Sequence, residues 1–190
     1  MNSFIETLNS LDQEMILFLN NLGTPLWDGF WLLITDRWTA IPLYGWLCWL
    51  CYKQHSLRRF LCILLCVGVM IALTDQLSNL FKVQFHRLRP CHNPLINGQL
   101  RFTHCGGQFG YFSAHAANTF ALATFLGQVL RRHYPKLLWW LLLWAAVVSY
   151  SRIYLGVHYP FDVLTGLCIG LLFGYGMYLL FKKLIVKRVR

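Results

Sequence analysis

An all-α bundle of membrane-crossing helices is the fold class this sequence predicts, and three observations predict it. Hydrophobic residues make up 57% of the 190-residue chain and charged residues only 13%, far from the composition of a soluble globular domain. Apolar runs at 60–81, 111–130, 137–155 and 163–181 each approach the ~20 residues needed to cross a hydrocarbon core of about 30 Å. A shorter run, 38–52, can be lengthened by a helix over 25–35. The third observation is where the cations fall. Lys53, Arg58 and Arg59 follow the first run, Arg131, Arg132 and Lys136 the third, and Lys182, Lys183, Lys187, Arg188 and Arg190 the fifth. Five crossings put all three groups on one side, which the positive-inside rule makes the cytoplasm.

The expected organisation is a single domain, 1–190: an interfacial helix at 1–24, a helical bundle at 25–181 and a basic cytoplasmic tail at 182–190. The net charge of +10 does not imply nucleic acid, because long apolar runs interrupt the cations and leave no continuous basic face. The bilayer is the implied partner. The first 36 residues contain no Lys or Arg, so no basic-hydrophobic-small signal peptide is expected. The location predicted is a bacterial-type cytoplasmic membrane, with 82–110 and 156–162 outside and the C-terminus in the cytoplasm.

Taken in order, Ser10 and Gln13 have the spacing of a capping box, and Leu11, Met15, Phe18, Leu19 and Leu22 recur at helical intervals before Gly23 and Pro25. This predicts an amphipathic helix on the membrane surface. The alternative, a crossing continued through Asn20 to Trp31, would make six spans. Trp27, Trp31, Trp38, Trp46, Trp49, Trp139, Trp140 and Trp144 are expected to pack and anchor. In the second span Asp75, Asn79 and Lys82 share a helical face, and Asp75 is expected in a structural ion pair, indirectly with Lys82 or with an arginine from another helix. Pro90 is expected to enforce the exit from that helix. Cys91 and Cys105 in the following loop could form a disulfide. His92 and His104 beside them make a Cys/His metal site the minority reading, and neither metal nor cofactor is expected. Gly166, Gly170 and Gly174 permit close helix packing, within the bundle or, alternatively, at a dimer face.

Chemistry concentrates in residues 151–162, SRIYLGVHYPFD. Arg152 offers a planar donor fork suited to phosphate oxygens, and His158 is a potential base or nucleophile, with Asp162 one helical turn away to orient it. These charges alone could be interfacial anchors. Two further stretches reach the same membrane edge: Lys82 and Arg89, and Ser113 with His115 at the start of the third span, where helical amides favour an anion. Together they supply three cations, a hydroxyl, two histidines and a carboxylate, the parts of a phosphate site with its own nucleophile and acid.

On these residues the chain resembles the type-2 phosphatidic acid phosphatase family, whose fold vanadium haloperoxidases share. Lys82, Arg89 and Pro90 match its first motif, and Ser151, Arg152, His158 and Asp162 its third. The second, usually Pro-Ser-Gly-His, reads Phe112, Ser113, Ala114 and His115, with a methyl group beside the amide the family directs at phosphate. If that position required positive φ, Ala114 would be strained. The resemblance implies a phosphohistidine on His158, Asp162 holding its ring, His115 as acid and then base, and Lys82, Arg89, Ser113, Ala114 and Arg152 binding phosphate without a metal. A site at headgroup level implies a lipid phosphate or diphosphate as substrate. Undecaprenyl diphosphate is the favoured one, with phosphatidylglycerol phosphate, phosphatidic acid and lipid A phosphate as alternatives. A non-enzymatic binder of anionic lipids and a vanadate-dependent haloperoxidase are the rival classes.

Overall fold

Within residues 2–186, which the computed structural model describes, the chain forms seven α-helices and no strand beyond one isolated antiparallel bridge between Leu88 and Phe109. They are α1 Asn2–Asn21, α2 Pro25–Thr35, α3 Ile41–Gln54, α4 Leu57–Phe85, α5 Ala114–Leu130, α6 Leu137–Tyr154 and α7 Pro160–Val186. The helical membrane bundle expected from composition is therefore the fold. By length and composition, α4, α6 and α7 are suited to crossing a membrane. Lys187, Arg188 and Arg190 of the expected basic tail lie outside the described residues.

Helix α5 occupies the interior. Of its 17 residues 13 are buried, on every side of the helix, which an all-round apolar sequence permits. Helix α7 presses closest to it. A Cβ on Gly166, Gly170 or Gly174 would stand 2.5 Å from the carbonyl oxygen of Ser113, Ala117 or Ala121 respectively. The glycine ladder thus lets two backbones touch inside one bundle, the first of the two expected uses. Helix α4 contributes a single buried stripe, Ile63, Cys66, Met70, Thr74 and Ser78, and gives the rest of its surface to the surroundings. Trp38, Trp139 and Trp140 stand exposed on the outside, as anchoring rings should.

Three expectations about element boundaries are corrected. Helix α1 begins at Asn2, not at a Ser10 cap; Ser10 lies mid-helix and donates from Oγ to the Thr7 carbonyl at 2.9 Å. The first crossing is not one continuous helix, because α2 and α3 are separated at residues 36–40, where Thr39 Oγ1 donates to the Leu33 and Asp36 carbonyls at 2.6 and 2.7 Å. Helix α4 stops at Phe85, before Pro90 can act: His86 takes the left-handed conformation (φ 48°) and its amide closes on the Lys82 carbonyl. Histidine is among the residues that tolerate this region.

The break expected at Gly23 and Pro25 is present, so α1 does not run on into α2. Helix α1 buries a polar face. Asp12, Ile16 and Asn20, at intervals of four, are fully covered, while Phe4, Ile5, Leu8, Leu11, Phe18 and Leu22 point outward. An outward apolar face is the reverse of a soluble surface helix and suits one lying in a bilayer interface. Asn20 fixes the helix: Nδ2 donates to the Phe102 and Tyr154 carbonyls at 2.9 and 2.6 Å, and Oδ1 accepts from Arg101 N at 2.8 Å.

At the far end of the bundle, Arg59, Arg131, Arg132 and Lys182 line one cavity. The three basic segments therefore share a side, as the charge pattern predicted.

The α5–α7 contact makes a direct prediction. Gly170→Val inserts a branched side chain against the Ala117 backbone, and overpacking of this kind costs about 1–3 kcal/mol. Its thermal midpoint in detergent should fall by several degrees, whereas Gly176→Val, where a Cβ meets nothing within 4 Å, should leave the midpoint near that of the parent.

Candidate active site

The turn between α6 and α7 organises the site. Helix α6 ends at Tyr154, and Gly156 adopts a left-handed φ of 62°, a conformation glycine reaches without a Cβ penalty. A Cβ at Gly156 would also crowd the Phe102 carbonyl at 3.1 Å. The chain then folds back, so that the Val157 and His158 amides both donate to the Arg152 carbonyl, at 3.0 and 3.2 Å. Arg152 and His158, six positions apart, are thereby locked together.

Helix α7 starts with Pro160 in the first turn, where its missing amide hydrogen is of no consequence. Asp162 turns back and its Oδ2 accepts from the Tyr159 amide at 3.0 Å, half of a capping box. The same oxygen stands 3.5 Å from His158 Nδ1. That is ion-pair distance, but Nδ1 makes no aligned hydrogen bond in the structure; catalytic contacts are often loose before substrate is bound. His158 is 2% exposed and Asp162 fully buried. Burial first, then the charges of Arg152, Arg89 and Lys82, hold the His158 imidazole well below the ordinary histidine value. It is neutral at pH 7, with a lone pair available.

The second stretch is stitched to the third through backbone. The Ser113 amide donates to the Asp162 carbonyl at 3.1 Å, and Ser78 Oγ of α4 donates to the Phe112 carbonyl at 3.1 Å. Ser113 is the N-cap of α5, its Oγ accepting from the Ala116 amide at 3.4 Å. Ala114 and His115 follow as the first two helical residues, so their amides have no intrahelical acceptor. Ala114 carries no strain, since among the described residues His86 is the non-glycine with positive φ. The methyl group that replaces the usual glycine is accommodated.

The first stretch arrives by a short bridge. Arg89 N donates to the Gln108 carbonyl at 3.1 Å and Gly110 N to the Arg87 carbonyl at 2.9 Å, and Arg89 Nε donates to the Phe109 carbonyl at 3.1 Å. The Arg89 side chain packs over two glycines: a Cβ on Gly106 would sit 2.9 Å from Arg89 Nη1, and one on Gly110 2.9 Å from Arg89 Cγ. Cys91 and Cys105 are joined in a disulfide, with Cα atoms 6.1 Å apart, which holds the loop over the α6–α7 turn. Cys91 N donates to the Gly156 carbonyl and His104 N to that of Leu155. His92 lies beside the two sulfurs, but their covalent bond removes both thiolates from any Cys/His metal set.

One pocket of about 500 Å³ results, and Lys82, Arg89, Ala114, His115, Arg152 and His158 all line it. Two predicted site residues do not. Ser113 is fully covered behind Ala114, and Asp162 sits behind His158. Asp75 and Asn79 line the pocket too. Asp75 is not in the expected ion pair: its Oδ1 accepts from Asn118 Nδ2 of α5 at 2.8 Å, and Asn118 in turn contacts Thr74 Oγ1. Arg152 Nη1 donates to Thr35 Oγ1 of α2. None of Lys82, Arg89 and Arg152 forms an ion pair among the described residues.

Sequence reasoning missed Asn118, Thr35, Asp12 and Arg87. Asn118, a polar side chain within an apolar run three residues after His115, was detectable as such; the others carried no local signal. His115 and Asn118 also line a second cavity of about 450 Å³ between α3, α4, α5 and α6, whose walls include Tyr44, Val67, Leu122 and Trp144. The cationic pocket and this apolar groove therefore meet at His115.

Residues 63–185 match the PAP2 superfamily model. The chain is 34% identical to the lipid A 4′-phosphatase of Bacteroides thetaiotaomicron over 95% of its own length and 81% of that protein's. It is also 34% identical to the lipid A 4′-phosphatase of Porphyromonas gingivalis, over 92% and 74% of the two chains. Its fold is similar to that of a PAP2-type phosphatidylglycerolphosphate phosphatase from Bacillus subtilis, with a TM-score of 0.71, 24% identity, and 95% and 87% of the chains covered. Aquifex aeolicus LpxE aligns with a TM-score of 0.60 and 24% identity over 86% and 92%. Three motif stretches converging on one pocket, and matches that extend over nearly the whole chain, place this protein in the PAP2 superfamily.

Proposed function

We propose that the protein is a membrane lipid phosphatase that works through a phosphohistidine. The observation that carries this reading is the junction at His115, where a pocket lined by three cations opens onto an apolar groove between membrane helices. A lipid phosphate fits both halves at once, its phosphoryl group among Lys82, Arg89 and Arg152 and an acyl chain in the groove.

In this mechanism His158 Nε2 attacks phosphorus in line as the bond to the lipid oxygen breaks. His115 gives that oxygen its proton. In the second half His115 takes a proton from water, which attacks the phosphohistidine and releases orthophosphate with the imidazole restored. Asp162, on the Nδ1 side, keeps that nitrogen protonated and stabilises the charge the ring acquires. The three cations, with the Ala114 and His115 amides, balance charge on the equatorial phosphoryl oxygens. Ser113 acts as the cap that aims those amides, a more indirect part than the donor role expected from its sequence position.

For the lipid, we favour the 4′-phosphate of lipid A over undecaprenyl diphosphate, because both curated relatives carry that activity by name. The pocket is read as facing the exterior or periplasm of a cytoplasmic membrane, with the basic end of the bundle inside.

Phosphate release from lipid A, phosphatidylglycerol phosphate, phosphatidic acid and undecaprenyl diphosphate, compared by kcat/KM, tests the substrate; lipid A should rank first, and a higher value for any other would replace it. Binding of these lipids without release would favour a non-enzymatic binder. His158→Ala should lower turnover by more than about 10³-fold without unfolding the bundle, and full turnover would refute the nucleophile. With 4-nitrophenyl phosphate, whose leaving group needs no acid, His115→Ala should accumulate acid-labile phosphoenzyme. An impermeant reductant followed by an impermeant thiol reagent should label Cys91 and Cys105 in intact cells; labelling that requires permeabilisation would reverse the orientation.

A further inference from the structure

Behind the nucleophile, away from the phosphate pocket, two fully buried carboxylates share one arginine. Arg87 Nη1 donates to Asp162 Oδ1 and Arg87 Nη2 to Asp12 Oδ2, both at 2.7 Å. Asp162 and Asp12 have no exposed surface, and the Arg87 side chain is 20% exposed. Its guanidinium lies 4.2 Å from the Tyr159 ring centroid, a cation–π contact that fixes its plane, and Asn93 Nδ2 holds the Tyr159 hydroxyl at 2.9 Å. Asp12 has a second task. Its Oδ1 accepts from the Phe161 amide at 3.0 Å. Helix α7 has no side-chain acceptor of its own for that orphan amide, since Asp162 is occupied by the Tyr159 amide, so α1 caps α7 from 149 residues away.

We infer that Asp12 and Arg87 are positioning residues for the His158–Asp162 pair, which makes helix α1 part of the catalytic assembly. The inference rests on the phosphohistidine reading above. Arg87 lies outside the pocket lining and acts through Asp162. With Nη1 on Oδ1, it leaves Oδ2 to face His158 Nδ1, so the two carboxylate oxygens have separate partners. Asp12 holds the other arm of the fork. Without its charge the guanidinium is free to turn both arms onto Asp162, and Oδ2 is drawn away from the imidazole. Helix α1 presents its apolar side outward, so the same few side chains tie a bilayer-facing helix to the ring that attacks phosphorus.

The test is kinetic, on full-length protein in detergent–lipid micelles, with the panel lipid that the parent turns over fastest. Asp12→Asn and Arg87→Lys should each lower kcat by about 10- to 100-fold, the range for groups that orient a reactive side chain, with KM within about twofold. In an Asp162→Asn background, adding Asp12→Asn should change kcat by less than about twofold, because the path to His158 is already cut. Parent-like kcat in both single variants would overturn the inference, and so would an equal loss with or without the Asp162 carboxylate. If neither single variant yields folded, monodisperse protein, the two residues serve folding and the positioning role is rejected. A parent inactive on every lipid would remove the phosphatase reading itself, which separates that failure from this one.

Discussion

A methyl group at Gly166 would lie 2.5 Å from the Ser113 carbonyl, and the absence of that methyl is what the geometry of the site depends on. Backbone contact between α5 and α7 leaves no slack. It sets the height of Ser113, and with it Ala114 and His115, relative to Asp162 and His158. The Ser113 amide closes the same contact on the Asp162 carbonyl. His115 and His158, the two histidines of the proposed mechanism, are thus held by a contact of main chain against main chain, which has no rotamers to lose. Gly170 and Gly174 repeat the contact down the bundle, so the register is fixed by three contacts over about two turns and a slip would cost all three. Side-chain packing alone would allow more freedom, because a Leu or Met at such a position repacks for little energy.

The electrostatics of the pocket run against stability. Lys82, Arg89 and Arg152 converge on one cavity, and none of them forms an ion pair among the described residues. Like charges brought together out of bulk water are unfavourable. The carboxylates have other partners: Asp162 and Asp12 share Arg87 behind the pocket, and Asp75, in its wall, is bonded to Asn118. This separation of ionic partners has a chemical consequence. In the proposed function, a phosphoryl group entering the pocket meets three cations that no internal carboxylate neutralises, so its binding recovers energy that the fold left unclaimed. Burial and then the cationic surroundings also favour a neutral His158, the state the proposed nucleophile requires.

Much of this was legible in the sequence because it is carried by residue type at short range. Arg152, His158 and Asp162 fall within eleven positions, immediately before the last apolar run. Lys82 and Arg89 stand out as cations on the side where the charge pattern disfavours them, whereas Ser113, expected as a phosphate donor, is the N-cap of α5. The glycine ladder announced a close helix contact without naming its partner. The misreadings have physical causes. His86 ends α4 by adopting a left-handed conformation that histidine tolerates better than most residues, but nothing local distinguishes it from the other histidines of the chain. Ser10 and Gln13 have capping spacing, but the tertiary contacts of Asp12, Ile16 and Asn20 carry the helix through them. Asp75 was assigned an ionic partner by the rule that buried charges are paired; an amide from the neighbouring helix satisfied it instead.

Arg87 shows why the remainder could not be read. In KVQFHRLRP it stands two residues before Arg89, and in sequence the two arginines are interchangeable. The fold separates them because the Leu88–Phe109 bridge gives the segment extended geometry, in which alternate residues share a face only if the strand is regular. Here the left-handed turn at His86 precedes it and the 3₁₀ turn at Pro90–His92 follows, and Arg87 and Arg89 diverge. One lines the cationic pocket; the other passes behind His158 to meet Asp12, 75 residues earlier, and Asp162, 75 residues later. A pairing that spans the chain in both directions has no local spacing to betray it. It follows that the motif positions fix which side chains line the pocket, while the partners of Asp162 behind it depend on what the N-terminal helix brings there.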